Sequence, residues 1–291
     1  MPNTLSPDYL STSVYKPGIF NGKVLFVTGG AGSICRVQVE AMVLLGADAA
    51  IVGRNEEKTI QAAKEIASLR PGAKVIGIGK ADVRDVKNLK ACVDRTVQEL
   101  GRIDYVIAGA AGNFLSPISQ LSSNAFRTVA EIDLVGSYNT VKATFEQLRE
   151  HKGHILFVSA TLHYRGLPMQ AHAAAAKAGV DSLMKTVAVE LGPLGIQSNC
   201  IAPGAIDGTE GMSRLMPEEM LIRSKELVPL RGEYGTTQDI ADATVFLFSP
   251  AGRYISGQIL VVDGAQWQSS GPEAQYYPQG IAQLNSGDAK L

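Results

Sequence analysis

Short, mostly apolar runs recur along the chain, and the segments between them repeat their apolar residues every three or four positions. The runs 23–28 (KVLFVT), 49–52, 75–78, 105–108, 155–159, 197–202 and 258–262 read as strands. The segments 34–45, 56–69, 86–100, 125–150, 171–191 and 238–248 read as helices, with a break expected near 133–136. Strands that are apolar at consecutive positions, without strict alternation, are buried on both faces, as in a parallel sheet covered by helices. Strand and helix alternate without interruption, so right-handed βαβ units are expected. The pattern predicts one α/β domain, a Rossmann-like doubly wound parallel sheet with helices on both faces, over residues 21–265. Residues 1–20, with three prolines, read as an arm, and 266–291 as a tail. The stretch 204–235 has no strand pattern and is a candidate lid or substrate loop.

Composition narrows the function without naming it. Apolar residues make up 45% of the 291 positions, charged residues 19%, and the net charge is −1. No broad basic field invites nucleic acid or anionic lipid, so an anionic ligand must be met by individual arginines. Cys35, Cys92 and Cys200 are few and widely spaced, which fits reduced thiols better than disulfides or a metal site. No run approaches the roughly 20 apolar residues of a membrane span. The first residues lack the basic-then-apolar order of a signal peptide. The last three, Ala289-Lys290-Leu291, resemble the Ser-Lys-Leu peroxisomal address, so a matrix enzyme delivered by the peroxisomal import receptor is expected.

The first strand runs into Thr28-Gly29-Gly30-Ala31-Gly32-Ser33-Ile34. Glycines here let backbone approach a pyrophosphate whose charge then sits on a helix N-terminus. The second strand ends at Val52-Gly53-Arg54, where an acidic residue would bind the ribose hydroxyls of NAD. An arginine there pairs instead with a 2′-phosphate, so NADPH is the expected cofactor. Asp82, after the third strand, either binds the adenine amino group or caps the next helix.

These residues resemble the short-chain dehydrogenase/reductase family over about residues 20–265. Gly109-Ala110-Ala111-Gly112, Ser159, Lys177 and Pro203-Gly204 stand at the family's structural and active-site positions. Ser33 and Cys35 stand where the family usually keeps glycine, and Asp133 where it keeps a helix-breaking asparagine. Ala173 stands where it keeps the tyrosine of Tyr-x-x-x-Lys. With 82–84 (DVR), 110–114 (AAGNF) and 204–211 (GAIDGTEG), the chain is most similar to the 2,4-dienoyl-CoA reductases of this family, the peroxisomal fungal type in particular. The resemblance implies that Gly29, Gly30, Gly32, Ser33, Ile34, Arg54, Asp82, Val83, Ala110, Lys177, Pro203, Gly204 and Ile206 hold NADP. It implies that Arg84, Phe114, Ser123, Asn124 and Arg214 hold an acyl-CoA, the Ser123-Asn124 pair as a turn. It also implies a homodimer or homotetramer.

Ketone reduction charges the oxygen on the very carbon that receives hydride, and that oxygen needs a close acid. The methyl of Ala173 is no acid. In a 2,4-dienoyl thioester hydride adds at C5, the charge moves to the distant thioester oxygen, and a proton returns at C2. Such a site needs an electrophilic clamp and a proton source, with no phenol at the reacting carbon. Lys177 is expected to hold the nicotinamide ribose and add positive charge. Asp133 is expected to hold a water or give a proton itself. Ser159 and Tyr164 are expected to orient or meet the ligand. His163 and His172 show no partner carboxylate at an obvious spacing and read as packing or capping residues. The rival readings are another enoyl or keto reductase of the same fold and a non-catalytic NADP-binding sensor.

Overall fold

A computed structural model describes residues 4–215 and 225–269, apart from the side chains of 213–215. The strands are β1 Val24–Thr28, β2 Asp48–Val52, β3 Val75–Ile78, β4 Tyr105–Ala108, β5 His154–Val158, β6 Gln197–Pro203 and β7 Ile259–Val262. They form one parallel sheet in the order β3-β2-β1-β4-β5-β6-β7. The helices are α1 Tyr9–Thr12, α2 Ser33–Leu44, α3 Glu56–Ala67, α4 Val86–Leu100, α5 Ser123–Ala130, α6 Gly136–His151, α7 Ala171–Leu191, α8 Glu210–Leu215 and α9 Thr237–Phe248. Strand order reverses between β1 and β4, and ligands bind at the carboxyl ends of strands at such a switch point.

The unbroken apolar strands are explained by two cores. Leu25, Val27, Ala49, Ile51, Ile107 and Leu156 face α2, α3 and α9. Their neighbours Phe26, Ala50, Val52, Val106, Ile155 and Phe157 face α4, α6 and α7. Alternate residues point to opposite faces, and both faces are dry. Residues 4–20 do not project as an arm. Leu5, Tyr9 and Phe20 join the first core. The Leu5 amide donates to the buried Glu40 carboxylate at 2.8 Å, and the Tyr9 hydroxyl donates to Asp242 at 2.9 Å. Three well-spaced apolar side chains outweigh Pro7 and Pro17 in placing this segment.

The expected break in the long helix is a five-residue π-turn, Glu131–Val135, between α5 and α6. Ser123 and Asn124 are the first two residues of α5 and not a turn, because the Ser122 hydroxyl caps that helix by accepting from Ala125 N–H. Asp82 is not the cap of α4, since Asp85 accepts from the amides of Lys87 and Asn88. The stretch 204–235 contains α8 and is pinned at its base by a bridge between Ile206 and Gly235. Residues 216–224 of that stretch lie outside the described residues, as do the tail from 270 onward and its Ala289-Lys290-Leu291.

Candidate active site

The glycine loop is built by close approach. Gly29 has φ +73°, and a Cβ there would meet the Ala110 Cα at 2.9 Å. A Cβ on Gly30 would meet the Ile51 side chain at 2.6 Å. The Thr28 hydroxyl accepts from the Gly109 amide at 3.2 Å, tying the ends of β1 and β4 together. A Cβ on Gly109 would collide with the Cys35 sulfur, so Cys35 fills the space that Gly109 leaves. Burial pushes the Cys35 thiol up to about 12, so it packs as a small neutral residue.

Side chains cap α3 (Asn55), α4 (Asp85), α5 (Ser122) and α9 (Thr236). Gly32, which opens α2, offers none. The α2 N-terminus therefore fits a phosphate, which would take up its amide donors. Ser33 and Ile34 begin the helix, and the Ser33 hydroxyl accepts from the Glu210 amide at 3.1 Å, which joins the loop to α8. Arg54 is exposed just past β2. Arg84 forks onto Asp82, with Nη2 at 2.5 Å and Nε at 3.0 Å from both oxygens, and this bond holds the Asp82 carboxyl below its usual range. The Val83 carbonyl accepts from Asn139 at 2.9 Å, anchoring the 82–84 turn to α6. Gly204 follows Pro203 at the end of β6, donating its amide to Val262, and Ile206 is buried beyond it.

On α7, Ala173, Lys177 and Asp181 lie four residues apart and share one buried face. The Lys177 Nζ donates to the Val158 carbonyl at 2.9 Å and pairs with Asp133 at 3.3 Å. Asp133 is 1% exposed, and its other oxygen accepts from the Gly112 amide at 2.7 Å. The π-turn holds this carboxylate inside the molecule, a frequent use of such turns at functional sites. Ala173, 1% exposed, adds only a methyl one turn away.

A second cluster gathers on Asp181. His163 Nε2 lies 2.6 Å from its Oδ2, and the Tyr164 hydroxyl donates to the same oxygen at 3.3 Å. The Cys200 thiol approaches Oδ1 at 3.6 Å. Burial, the largest single influence, pushes the Asp181 carboxyl up, but hydrogen bonding from His163, Ser159 and Cys200 together with the His163 charge outweighs it, and the net shift is downward. Burial, reinforced by the Asp181 charge, raises Tyr164 well above the ordinary phenol. Its ring stands edge-on to His163 and Trp267. Ser159 follows β5, and its buried hydroxyl faces this cluster without a well-formed hydrogen bond. The expectation that His163 has no carboxylate partner is thus corrected: the partner lies 18 positions along, on another element. A pairing through loop 159–170 leaves no periodic signal in sequence.

Phe114 stacks on His172, with centroids 4.3 Å apart and planes at 27°. Ser123 lines a surface groove of about 590 Å³ with Ile118, Phe126 and Arg127. The Asn124 carbonyl is taken by Thr128 at 2.8 Å. Arg214 falls in α8, and its side chain lies outside the described part.

A family model described as enoyl-(acyl carrier protein) reductase matches residues 29–265. The chain is 54% identical, over 91% of each chain, to the (3E)-enoyl-CoA-producing peroxisomal 2,4-dienoyl-CoA reductase of Saccharomyces cerevisiae. It is 40% identical to the protein of the same description from Danio rerio, over 96% of this chain and 92% of that one. The crystal structure of levodione reductase superposes with a TM-score of 0.80 at 28% identity, covering 86% of this chain and 99% of that one. Fold, glycine loop, the placement of Lys177 and these matches agree: the chain belongs to the short-chain dehydrogenase/reductase family, whose fold binds a nicotinamide cofactor.

Proposed function

We propose that the chain is an NADPH-dependent 2,4-dienoyl-CoA reductase, yielding 3-enoyl-CoA in the peroxisomal β-oxidation of unsaturated fatty acids. One observation carries this reading. Ala173 lies buried one turn from Lys177, while the Lys177–Asp133 pair stays intact at 3.3 Å. The grip on the cofactor is kept where the acid for simple carbonyl chemistry is absent. The described names of the yeast and zebrafish relatives support the same substrate and compartment.

When bound, the dinucleotide supplies a hydride. Gly29, Gly30, Gly32, Ser33 and Ile34 cradle its phosphates, and Arg54 takes the 2′-phosphate. Asp82, Val83, Ala110, Pro203, Gly204 and Ile206 line the rest of its path. Lys177 holds the nicotinamide ribose and sets positive charge beside the substrate. Asp133, fixed by Gly112 and Lys177, holds the water that delivers a proton to C2. Ser159, whose hydroxyl makes only loose contacts with Asp181 and Cys200, offers it to ligand or cofactor. Tyr164 acts through the loop it braces, its hydroxyl being given to Asp181. Arg84 and Arg214 meet the CoA phosphates, and Phe114, Ser123 and Asn124 line the acyl and pantetheine path. A homodimer or homotetramer packed through α5–α7 covers the exposed Phe126, Val135, Tyr138 and Val189. The import receptor is the partner proposed for Ala289-Lys290-Leu291.

Purified protein mixed with NADPH and 2,4-hexadienoyl-CoA should consume both. Binding of NADPH with the diene left intact would mark a sensor, and reduction of acetoacetyl-CoA instead would mark a keto reductase.

A further inference from the structure

Five buried polar side-chain atoms lack a hydrogen bond among the described residues, and four of them lie within 159–172. Two belong to a single ring. His172, the second residue of α7, is 0% exposed, and among the described residues neither ring nitrogen makes a well-formed hydrogen bond, the Phe114 backbone being its one weak polar neighbour. Folding leaves a polar group in this condition only at a cost, and a group kept so is poised for something that arrives later. The ring plane is fixed by Phe114 stacked at 4.3 Å. Asn113 holds the segment before Phe114 by donating to Gln170, the residue at the head of α7, at 2.8 Å. Two residues earlier, Gly112 holds Asp133. The stretch Gly112-Asn113-Phe114 therefore carries the Asp133–Lys177 pair at one end and the imidazole at the other. Burial lowers the basicity of His172, and a loose hydrogen bond toward the Phe114 backbone and the Asp133 charge oppose this only in part, so a neutral ring is favoured, with an N–H that an incoming acceptor would take from that loose contact. A neutral imidazole has one N–H to give.

Resting on the dienoyl-CoA reading, we infer that His172 is a catalytic hydrogen-bond donor whose imidazole N–H binds the thioester oxygen of the substrate. The electron balance shows why a donor belongs there. Hydride bonds to C5, the C4–C5 π pair becomes the C3–C4 double bond, and the C2–C3 pair becomes the C1–C2 double bond. The carbonyl π pair moves onto oxygen. That oxygen holds the full negative charge until C2 takes a proton and the carbonyl reforms. A preorganised donor in a dry site stabilises this charge more than it stabilises the starting thioester. The family's tyrosine would present its hydroxyl from position 173, and here the donor stands at the preceding residue of the same helix.

The test compares wild type with His172→Phe, which keeps the stacked ring and removes both nitrogens. The melting temperature should hold or rise, because two unsatisfied buried atoms are gone. NADPH affinity should stay within about twofold. kcat/KM for 2,4-hexadienoyl-CoA should fall about 10²-fold, and His172→Asn, which restores an amide N–H, should recover part of it. In the complex of wild type with NADP and hexadienoyl-CoA labelled with ¹³C at the carbonyl, the thioester stretch should move to lower frequency, and the Phe variant should lose that shift. An unshifted carbonyl in wild type overturns the inference even if the Phe variant does not fold. A Phe variant with wild-type rate and wild-type carbonyl frequency overturns it too. That result would leave the dienoyl-CoA reading standing, whereas a wild type inactive on the diene would sink both.

Discussion

The glycine loop and the β5–α7 side both stand at the carboxyl edge of the sheet but are built by opposite rules. Around β1, β2 and β4 the glycines pack backbone against backbone, and Cys35 fills the space beside Gly109. No buried polar side-chain atom of that loop is left unsatisfied among the described residues. Between Ser159 and His172, by contrast, three side chains bury polar atoms that make no well-formed hydrogen bond among the described residues, and two carboxylates, Asp133 and Asp181, anchor the surrounding groups. Binding a constant ligand takes close approach, which is satisfied before the ligand comes. Turning over a variable one takes polar side chains held ready, whereas the glycine loop keeps open only backbone amides at the uncapped start of α2.

Substitutions that separate the two regions should differ in kind. Lys177→Ala should have the largest effect, lowering kcat/KM for dienoyl-CoA by at least about 10³-fold. It removes charge from the reacting side and leaves Asp133 buried without its cation; steady-state kinetics with a matched NADPH titration would show both losses. Asp133→Asn keeps an acceptor for Gly112 but breaks the ion pair. Its cost should be about 10²-fold in kcat with NADPH affinity nearly unchanged, which would confine Asp133 to the substrate side. Asp181→Asn should remove about 2 kcal/mol of stability at neutral pH through the weakened His163 and Tyr164 contacts. The folded Asp181 pKa is depressed, so its stabilisation is complete above about pH 4, the ordinary value, and fades as pH falls through the folded pKa. The gap in urea midpoint between wild type and variant should therefore close in acid. Arg54→Asp, on the glycine-loop side, should shift the NADPH-to-NADH ratio of kcat/KM at least about tenfold. It should leave stability and the maximal rate with saturating cofactor intact. An unchanged ratio would assign the phosphate to another residue.

What was readable in sequence divides along the same line. The strands, α7 and the break near 133–136 follow from local pattern, because apolar runs and periodic faces are properties of neighbouring residues. The glycine loop is equally local. Of the two roles open to Asp82 in sequence, the cap of α4 falls to the chemically similar Asp85 three residues on, and only the geometry separates them, by showing Asp82 bonded to Arg84. Residues 4–20 hid their role because Leu5 and Tyr9 find Glu40 and Asp242 far along the chain. His163 was invisible for the same reason. The bond to Asp181 depends on how loop 159–170 folds over α7, and neither residue announces the other.

The account stands on hydride reaching a carbon several bonds from the oxygen that carries the charge. Reducing unlabelled 2,4-hexadienoyl-CoA with cofactor deuterated at the transferring position, in ordinary water, and reading the product by NMR tests this directly. The account predicts a 3-enoyl-CoA with deuterium at C5 alone, and in deuterated water with unlabelled cofactor the label at C2. Deuterium at C3, a 2-enoyl product, or no reaction with the diene alongside brisk reduction of acetoacetyl-CoA would contradict it.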